Sequence, residues 1–323
     1  TFDATIFASA QVIPLGSSLS ITESMIIQGP GRTLLTVSGG DTIRILTLSG
    51  GIDVSILDLT FADGGAISGD SGLGSGGAIF KNSGGGTLDL TRVSIRSCTA
   101  SYYGGGIYLD GGTLNITDSE IVDNHSDNRG GGIFNGVATT NLLRSLVMGN
   151  STSIDGGGIY NTYGIVNVSN ATFTGNSANR GGAIATEYGD GNANVSISNS
   201  TFSNNSAADG TAIRQVGGSA TLKNTLVVND SCTQNIVDGG NNIQYPATSC
   251  TASITVLDPK LSPLSDNGGP TRTFSLLPGS PAIDAGDNAT CAAAPVNNLD
   301  QRGVARPVNG TCDIGAVESR GFT

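Results

Sequence analysis

The sequence predicts an all-β chain built as a right-handed, single-stranded parallel β-helix of about 26 residues per coil. Three observations predict it. A short phrase recurs, the apolar positions around it alternate with period two, and one polar residue returns at a fixed offset. The phrase is G-G-A-I at 76–79, G-G-G-I at 104–107, 130–133 and 156–159, G-G-A-I at 181–184 and a degraded G-T-A-I at 210–213. Its isoleucines are 28, 26, 26, 25 and 29 residues apart. A unit this short cannot bury a core alone, so neighbours must stack.

Each element follows from that frame. Residues 1–50 contain apolar runs at 5–7, 11–14, 19–21, 25–28, 34–37 and 43–48, broken by Gly and Pro, which reads as short strands. In the unit beginning at Gly104, Leu114, Ile116 and Ile121 alternate with polar residues, as strands do and helices do not. Their counterparts are Thr140, Leu142 and Val147, then Val166, Val168 and Phe173, then Val195, Ile197 and Phe202. Three strands per coil would place equivalent residues about 4.8 Å apart, in aliphatic columns. Paired glycines permit the positive φ at which the chain turns into the next strand.

The recurring polar residue is Asn124, Asn150, Asn176 and Asn205, at the end of S-x-[IFV]-x-x-N. An inward turn would let each amide bond to the one above, forming a ladder. Cys98 holds the same rung one coil earlier, which predicts a buried, structural thiol. Phe80, Tyr108, Phe134 and Tyr160 directly follow the inward isoleucines. Alternation points them outward, as an aromatic ladder or a stripe that contacts a sugar or a second subunit.

Clear repeats span 50–230, and the solenoid is expected to occupy 1–257. The Pro- and Gly-rich residues 258–323 are expected to cap its end. Cys232, Cys250, Cys291 and Cys312 suit two bridges, with 232–250 and 291–312 the local pairing and other pairings open. Two disulfides imply an oxidising compartment. The net charge of −11 and few basic residues argue against nucleic acid. No apolar run is long enough to span a bilayer.

Catalytic chemistry has little to stand on. His125 is the sole histidine, no C-x-x-C occurs, and no G-x-S-x-G elbow is present. Neither a cofactor nor a metal site is expected. Position three after each isoleucine reads Asn82, Asp110, Gly136, Thr162 and Glu187, so its carboxylates lie three coils apart. Asp123, Asp127 and Asp155 read as turn residues. Eleven N-x-[ST] sequons, Asn115, Asn167 and Asn309 among them, offer glycan acceptors wherever they face outward.

The repeats, followed by D-N-G-G-P-T-R-T, L-L-P-G-S-P-A-I-D-A-G, D-Q-R-G and C-D-I-G-A-V-E, closely resemble bacterial secreted parallel β-helix proteins with a choice-of-anchor Q domain. The repeats alone also resemble those of polymorphic outer-membrane proteins. The resemblance implies an exported, surface-associated protein and assigns no activity to any residue. Members usually carry a segment like S-L-R-E-A-I before T-F-D and continue past D-I-G-A-V-E. The resemblance thus implies a chain trimmed at both ends, with its first coil open to the edge of another chain. The expected function is a non-enzymatic extracellular structural protein, a surface stalk or a self-associating filament subunit. The alternative is a polysaccharide lyase or hydrolase, or a glycan-binding adhesin.

Overall fold

The computed structural model describes residues 5–68, 74–187 and 193–321. Thr1–Asp3 of the T-F-D motif lie outside them. The chain is a parallel β-solenoid. Its strands form three long sheets of 11, 9 and 8 strands and a short one of 4. Coil pairs with coil in parallel, and the register is set by the inward residues. Ile79, Ile107, Ile133, Ile159, Ile184 and Ile213 form one unbroken column, each fully buried. Ile95, Ile121, Val147, Phe173 and Phe202 form a second, in which the two phenylalanine rings stack at 4.8 Å. Each such side chain contributes roughly 1.5–3 kcal/mol by leaving water.

The glycine phrase has two separate causes. Its first glycine, as at Gly104 and Gly130, has φ of 63° and 69°, open to glycine at little cost. Its second has no space for a side chain: a Cβ on Gly131 would collide with the carbonyls of Ser151 and Gly157 on the next coil. The third position holds Ala78, Ala183 and Ala212 in some coils, all buried, but a Cβ on Gly132 or Gly158 would come within 2.6 Å of a carbonyl on the next coil. The second position becomes Thr211 where the following chain is Ser231, and the two hydroxyls meet at 3.4 Å.

Most expected strands in the first 50 residues are present, at Gln11–Pro14, Leu19–Ile21, Met25–Gln28 and Leu35–Ser38. Residues 5–7 differ, because Ile6–Ala8 is one turn of 3-10 helix. The run at 43–48 becomes strand only at Leu46–Leu48. In the first coil, Ile13, Leu19 and Met25 occupy core-facing registers yet are 45%, 45% and 42% exposed.

The C-terminal segment corrects the sequence reading. Residues 258–321 do not close the end of the solenoid; they lie along its flank, over the outer face of the 11-stranded sheet. Leu226, Val228 and Ile243 face outward there and are covered by Leu276, Ala282 and Ile314. Farther along the axis, Thr172 donates to Gln301 at 2.7 Å and Gln301 donates to the Ser145 carbonyl at 3.2 Å. Arg32, near the opposite end, donates to the Pro270 carbonyl.

The end itself is closed by residues 245–254. Gln244 takes the core register below Val227 and is fully buried. Its amide donates to the Thr251 and Ile254 carbonyls at 2.8 Å and accepts from the Ser249 and Cys250 amides at 3.0 and 2.8 Å. The terminal loop thereby has its backbone groups paired by one side chain. Cys232 and Cys250 are bonded across it, and Cys291 and Cys312 are bonded within the flanking segment. The latter pair is separated by 21 residues, so replacing both by Ser should cost about 3 kcal/mol in chemical unfolding. A loss below about 1 kcal/mol would show that the segment is held by its other contacts.

The D-Q-R-G and C-D-I-G-A-V-E strings fold that segment without a sheet. Asp300, Asp313 and Glu318 are buried and each accepts backbone N–H groups. Asp300 takes those of Arg302 and Val304 at 2.8 and 2.9 Å, and Glu318 takes those of Val308 and Asp313 at 2.7 and 2.9 Å. Arg306, also fully buried, donates to the Gly315 carbonyl at 3.3 Å. The charges act here as backbone caps.

Candidate functional site

Three kinds of axial column hold the chain's distinctive side chains, and each column results from one position repeated per coil. The first is the asparagine ladder. Asn124 donates to Asn150 at 2.9 Å, Asn150 to Asn176 at 3.0 Å, and Asn176 to Asn205 at 2.9 Å. Each amide also donates to a carbonyl of the preceding coil, as Asn124 does to that of Ile95 at 3.1 Å. Asn124 and Asn150 are fully buried, so their sequons face no solvent.

Cys98 takes the rung before Asn124. Its amide donates to Asn124 Oδ1 at 3.0 Å and its sulfur accepts from the Gly64 amide at 3.3 Å. Burial pushes the thiol up to about 12. A maleimide reagent at pH 8 should therefore leave native Cys98 unlabelled and modify it only after unfolding. Labelling of the folded protein within minutes would contradict this placement.

The ladder runs one rung beyond the expected Asn205. Asp230 receives the Asn205 side chain at 2.6 Å and the Asn205 amide at 2.8 Å. It is 4% exposed, and burial pushes its carboxyl up to about 7. Its spacing of 25 residues from Asn205 was visible, but the change from Asn to Asp hid it.

The second column is aromatic. Phe80, Tyr108, Phe134 and Tyr160 stack in register, with ring centroids 5.0, 5.1 and 5.4 Å apart. They lie outside the coil core, as alternation required, but they do not form the exposed stripe that sugar or subunit contact would need. Phe80, Phe134 and Tyr160 are 7%, 8% and 1% exposed, and Tyr108 is half-buried. Turn residues cover them. Tyr103 stacks on Phe134 at 4.4 Å, while the Arg44 and Arg129 guanidinium groups sit 4.9 and 5.2 Å from the Phe80 and Tyr160 rings.

The third kind of column is charged. Stacking one residue type every coil would place like charges about 4.8 Å apart, so the sequence alternates sign. Tyr103, Arg129, Asp155, Arg180 and Asp209 share one register. Asp155 is fully buried between Arg129 at 3.1 Å and Arg180 at 2.6 Å, so its partners are charged side chains of the neighbouring coils. Arg129 also holds Glu187 at 2.8 Å, and Glu187 accepts from the Tyr160 hydroxyl at 2.9 Å. Burial raises the Tyr160 phenol well above its ordinary value, so it is no base near neutrality.

A second corner runs Asp58, Arg92, Asp118, Arg144, Asn170, Asn199 and Asn224, all with positive φ. Arg92 binds Asp58 at 2.6 Å and Arg144 binds Asp118 at 2.7 Å. The column turns to Asn where the flanking segment covers it. Asn170 donates to the Leu299 carbonyl at 2.8 Å and Asn224 to the Asp287 carbonyl at 3.2 Å.

These arrangements neutralise charge along the axis. His125, expected in a turn, lies instead on the short strand His125–Ser126 of the four-stranded sheet, half-exposed, and bonds Ser151 at 2.9 Å and Asp127 at 3.2 Å. Among the described residues, no cluster of three or more His, Cys, Asp or Glu is placed to hold a metal ion. No helix among them is long and apolar enough to cross a membrane.

The family described as Chlamydia polymorphic membrane protein repeat matches residues 170–187. That stretch runs from the Asn170 corner, through the Asn176 rung and the G-G-A-I phrase, to Glu187. No curated protein matches the chain.

Proposed function

We propose that this solenoid is the non-catalytic body of a cell-surface protein, a stiff extracellular stalk. The carrying observation is that the carboxylates and guanidinium groups of the two turn columns pair with one another along the axis. One carboxylate pair on neighbouring coils, Asp155 and Glu187, is bound by Arg129 and Arg180, with Asp155 itself inaccessible. A glycosidase needs two carboxyl groups facing one substrate-filled gap. The repeat match supports a surface or outer-membrane setting. Two disulfides support an oxidising one.

The filament form of the proposal adds self-association through the first coil. Its half-exposed Ile13, Leu19 and Met25 suit a further coil stacked in register, from this chain or from a second copy. Purified protein should appear as rods by negative-stain electron microscopy. It should release no reducing or unsaturated ends from a panel of neutral and acidic polysaccharides. Products that vanish in Glu187→Gln would replace the scaffold with an enzyme, and single short rods at every concentration would remove the filament form.

A further inference from the structure

We infer that the outer face of the nine-stranded sheet is a binding cleft for an extended, uncharged oligosaccharide. The inference rests on the scaffold reading and gives that scaffold a ligand. The face carries a cleft of about 580 Å³ between the sheet and the flanking segment, whose Thr290 and Pro295 form one wall. That volume falls within the range of ordinary ligand sites.

The floor of the cleft is one column: Asn115, Asn141, Asn167, Ser196 and Thr221, in register on five successive coils. Four coil spacings make it about 19 Å long. The three amides are already ordered. Asn167 donates to Asn141 and Asn141 to Asn115, both at 2.8 Å, and Asn115 donates to Asp89 at 2.7 Å. A side-chain amide has two N–H donors and two acceptor lone pairs. The ladder uses one N–H of each amide, and one lone pair of Asn141 and of Asn115. Each asparagine thus keeps an N–H and at least one lone pair for a ligand, and its orientation is fixed before binding. Preorganised groups lose little freedom when a ligand arrives.

The chemistry of the column selects the ligand. It consists of amides and hydroxyls, and Leu143 and Pro295 add apolar surface beside it, a mixed lining that suits the hydroxyls and apolar ring faces of a sugar chain better than an ion. Lys223, at one rim, is bound to Asp287 at 2.8 Å and is not a spare cation. The protein's net charge of −11 opposes polyanions. An extended peptide is a poorer fit, because the sheet's own strands already pair with one another from coil to coil and leave the peptide backbone no ladder. Successive coils recur at close to the length of one sugar unit in an extended glycan, so successive sugars would meet equivalent side chains.

The test is isothermal titration of the purified full chain. The probes are neutral tetra- to hexasaccharides (cello-, manno-, xylo- and chito-oligosaccharides), with oligogalacturonates as the anionic arm and a polyserine peptide as the peptide arm. Ser196 is exposed on the cleft floor, so Ser196→Trp fills the cleft without touching the core. Arg96→Trp, on a different sheet, is the control. Thermal melts of both variants should match the parent. At least one neutral series should bind with Kd at or below about 1 mM, weakened at least tenfold by Ser196→Trp and unchanged by Arg96→Trp. Absence of neutral-glycan binding, tighter binding of oligogalacturonate or peptide, or equal effects of the two variants would overturn the inference. Because the titration uses purified protein, its failure would leave the surface location of the stalk untouched.

Discussion

Replacing Asp230 by Asn should make the protein more stable at pH 8 by up to about 4 kcal/mol, and should leave its stability near pH 3.5 unchanged. In the folded chain the carboxyl is raised from 3.8 to about 7 by burial, against the pull of its bonds to Asn205. Below the unfolded value both states are protonated and the group contributes nothing. Between about 4 and about 7 the unfolded chain gives up its proton while the folded chain keeps it, so stability falls as pH rises. Above about 7 the full penalty persists. Asparagine removes the titration and can repeat the rung above it, accepting both Asn205 donors at Oδ1 as Asn205 does for Asn176. Urea unfolding of both proteins across this range checks the prediction. Parallel pH profiles for the two would show that Asp230 is not the buried terminus of the ladder.

The converse change is Asn150→Ala, expected to cost about 3–5 kcal/mol. Asn150 accepts from the Asn124 amide at 3.1 Å and from its side chain at 2.9 Å, and donates to Ile121 at 2.8 Å and to Asn176 at 3.0 Å. Alanine leaves two donors of Asn124 and the Ile121 carbonyl without their side-chain partner in the interior. Each stranded group costs about 1–3 kcal/mol, offset in part by relaxation. A change under about 1 kcal/mol in urea unfolding would make the ladder ornamental.

Much of this molecule was legible because a solenoid writes its geometry as repetition. The isoleucine column, the register of Leu88 with Leu114 and the shared rung of Cys98 and Asn124 all follow from spacing. Where repetition ceased, the reading weakened. Gln244 plugs the final coil, yet in the sequence it is one glutamine in a fading pattern. The flanking position of residues 258–321 was harder still, since nothing local says which surface an irregular segment will cover. Its signature lay elsewhere, in the corner that changes from Asp and Arg to Asn170, Asn199 and Asn224. Burial of the aromatic column was likewise set by residues from other turns, Tyr103, Arg44 and Arg129, which alternation along a strand cannot reveal.

The corner charges show the same logic in energetic form. An exposed ion pair is worth little alone. In a parallel stack, however, the alternative to Asp118 beneath Arg144 is a like charge one coil away, so alternation chiefly avoids repulsion. That accounts for corner columns in which Asp58, Asp118 and Asp155 are each held by an arginine of a neighbouring coil.

We propose above that this stack stands outside the cell as a scaffold. The most direct test is labelling of intact cells of the source organism with a membrane-impermeant amine reagent, followed by mass spectrometry of the labelled peptides. Lys260 is exposed on the flanking segment and should be modified on intact cells, whereas Lys81, enclosed by the Gly84, Gly85 and Gly111 carbonyls, should not. Modification of Lys260 only after lysis would place the solenoid inside the cell and contradict the account.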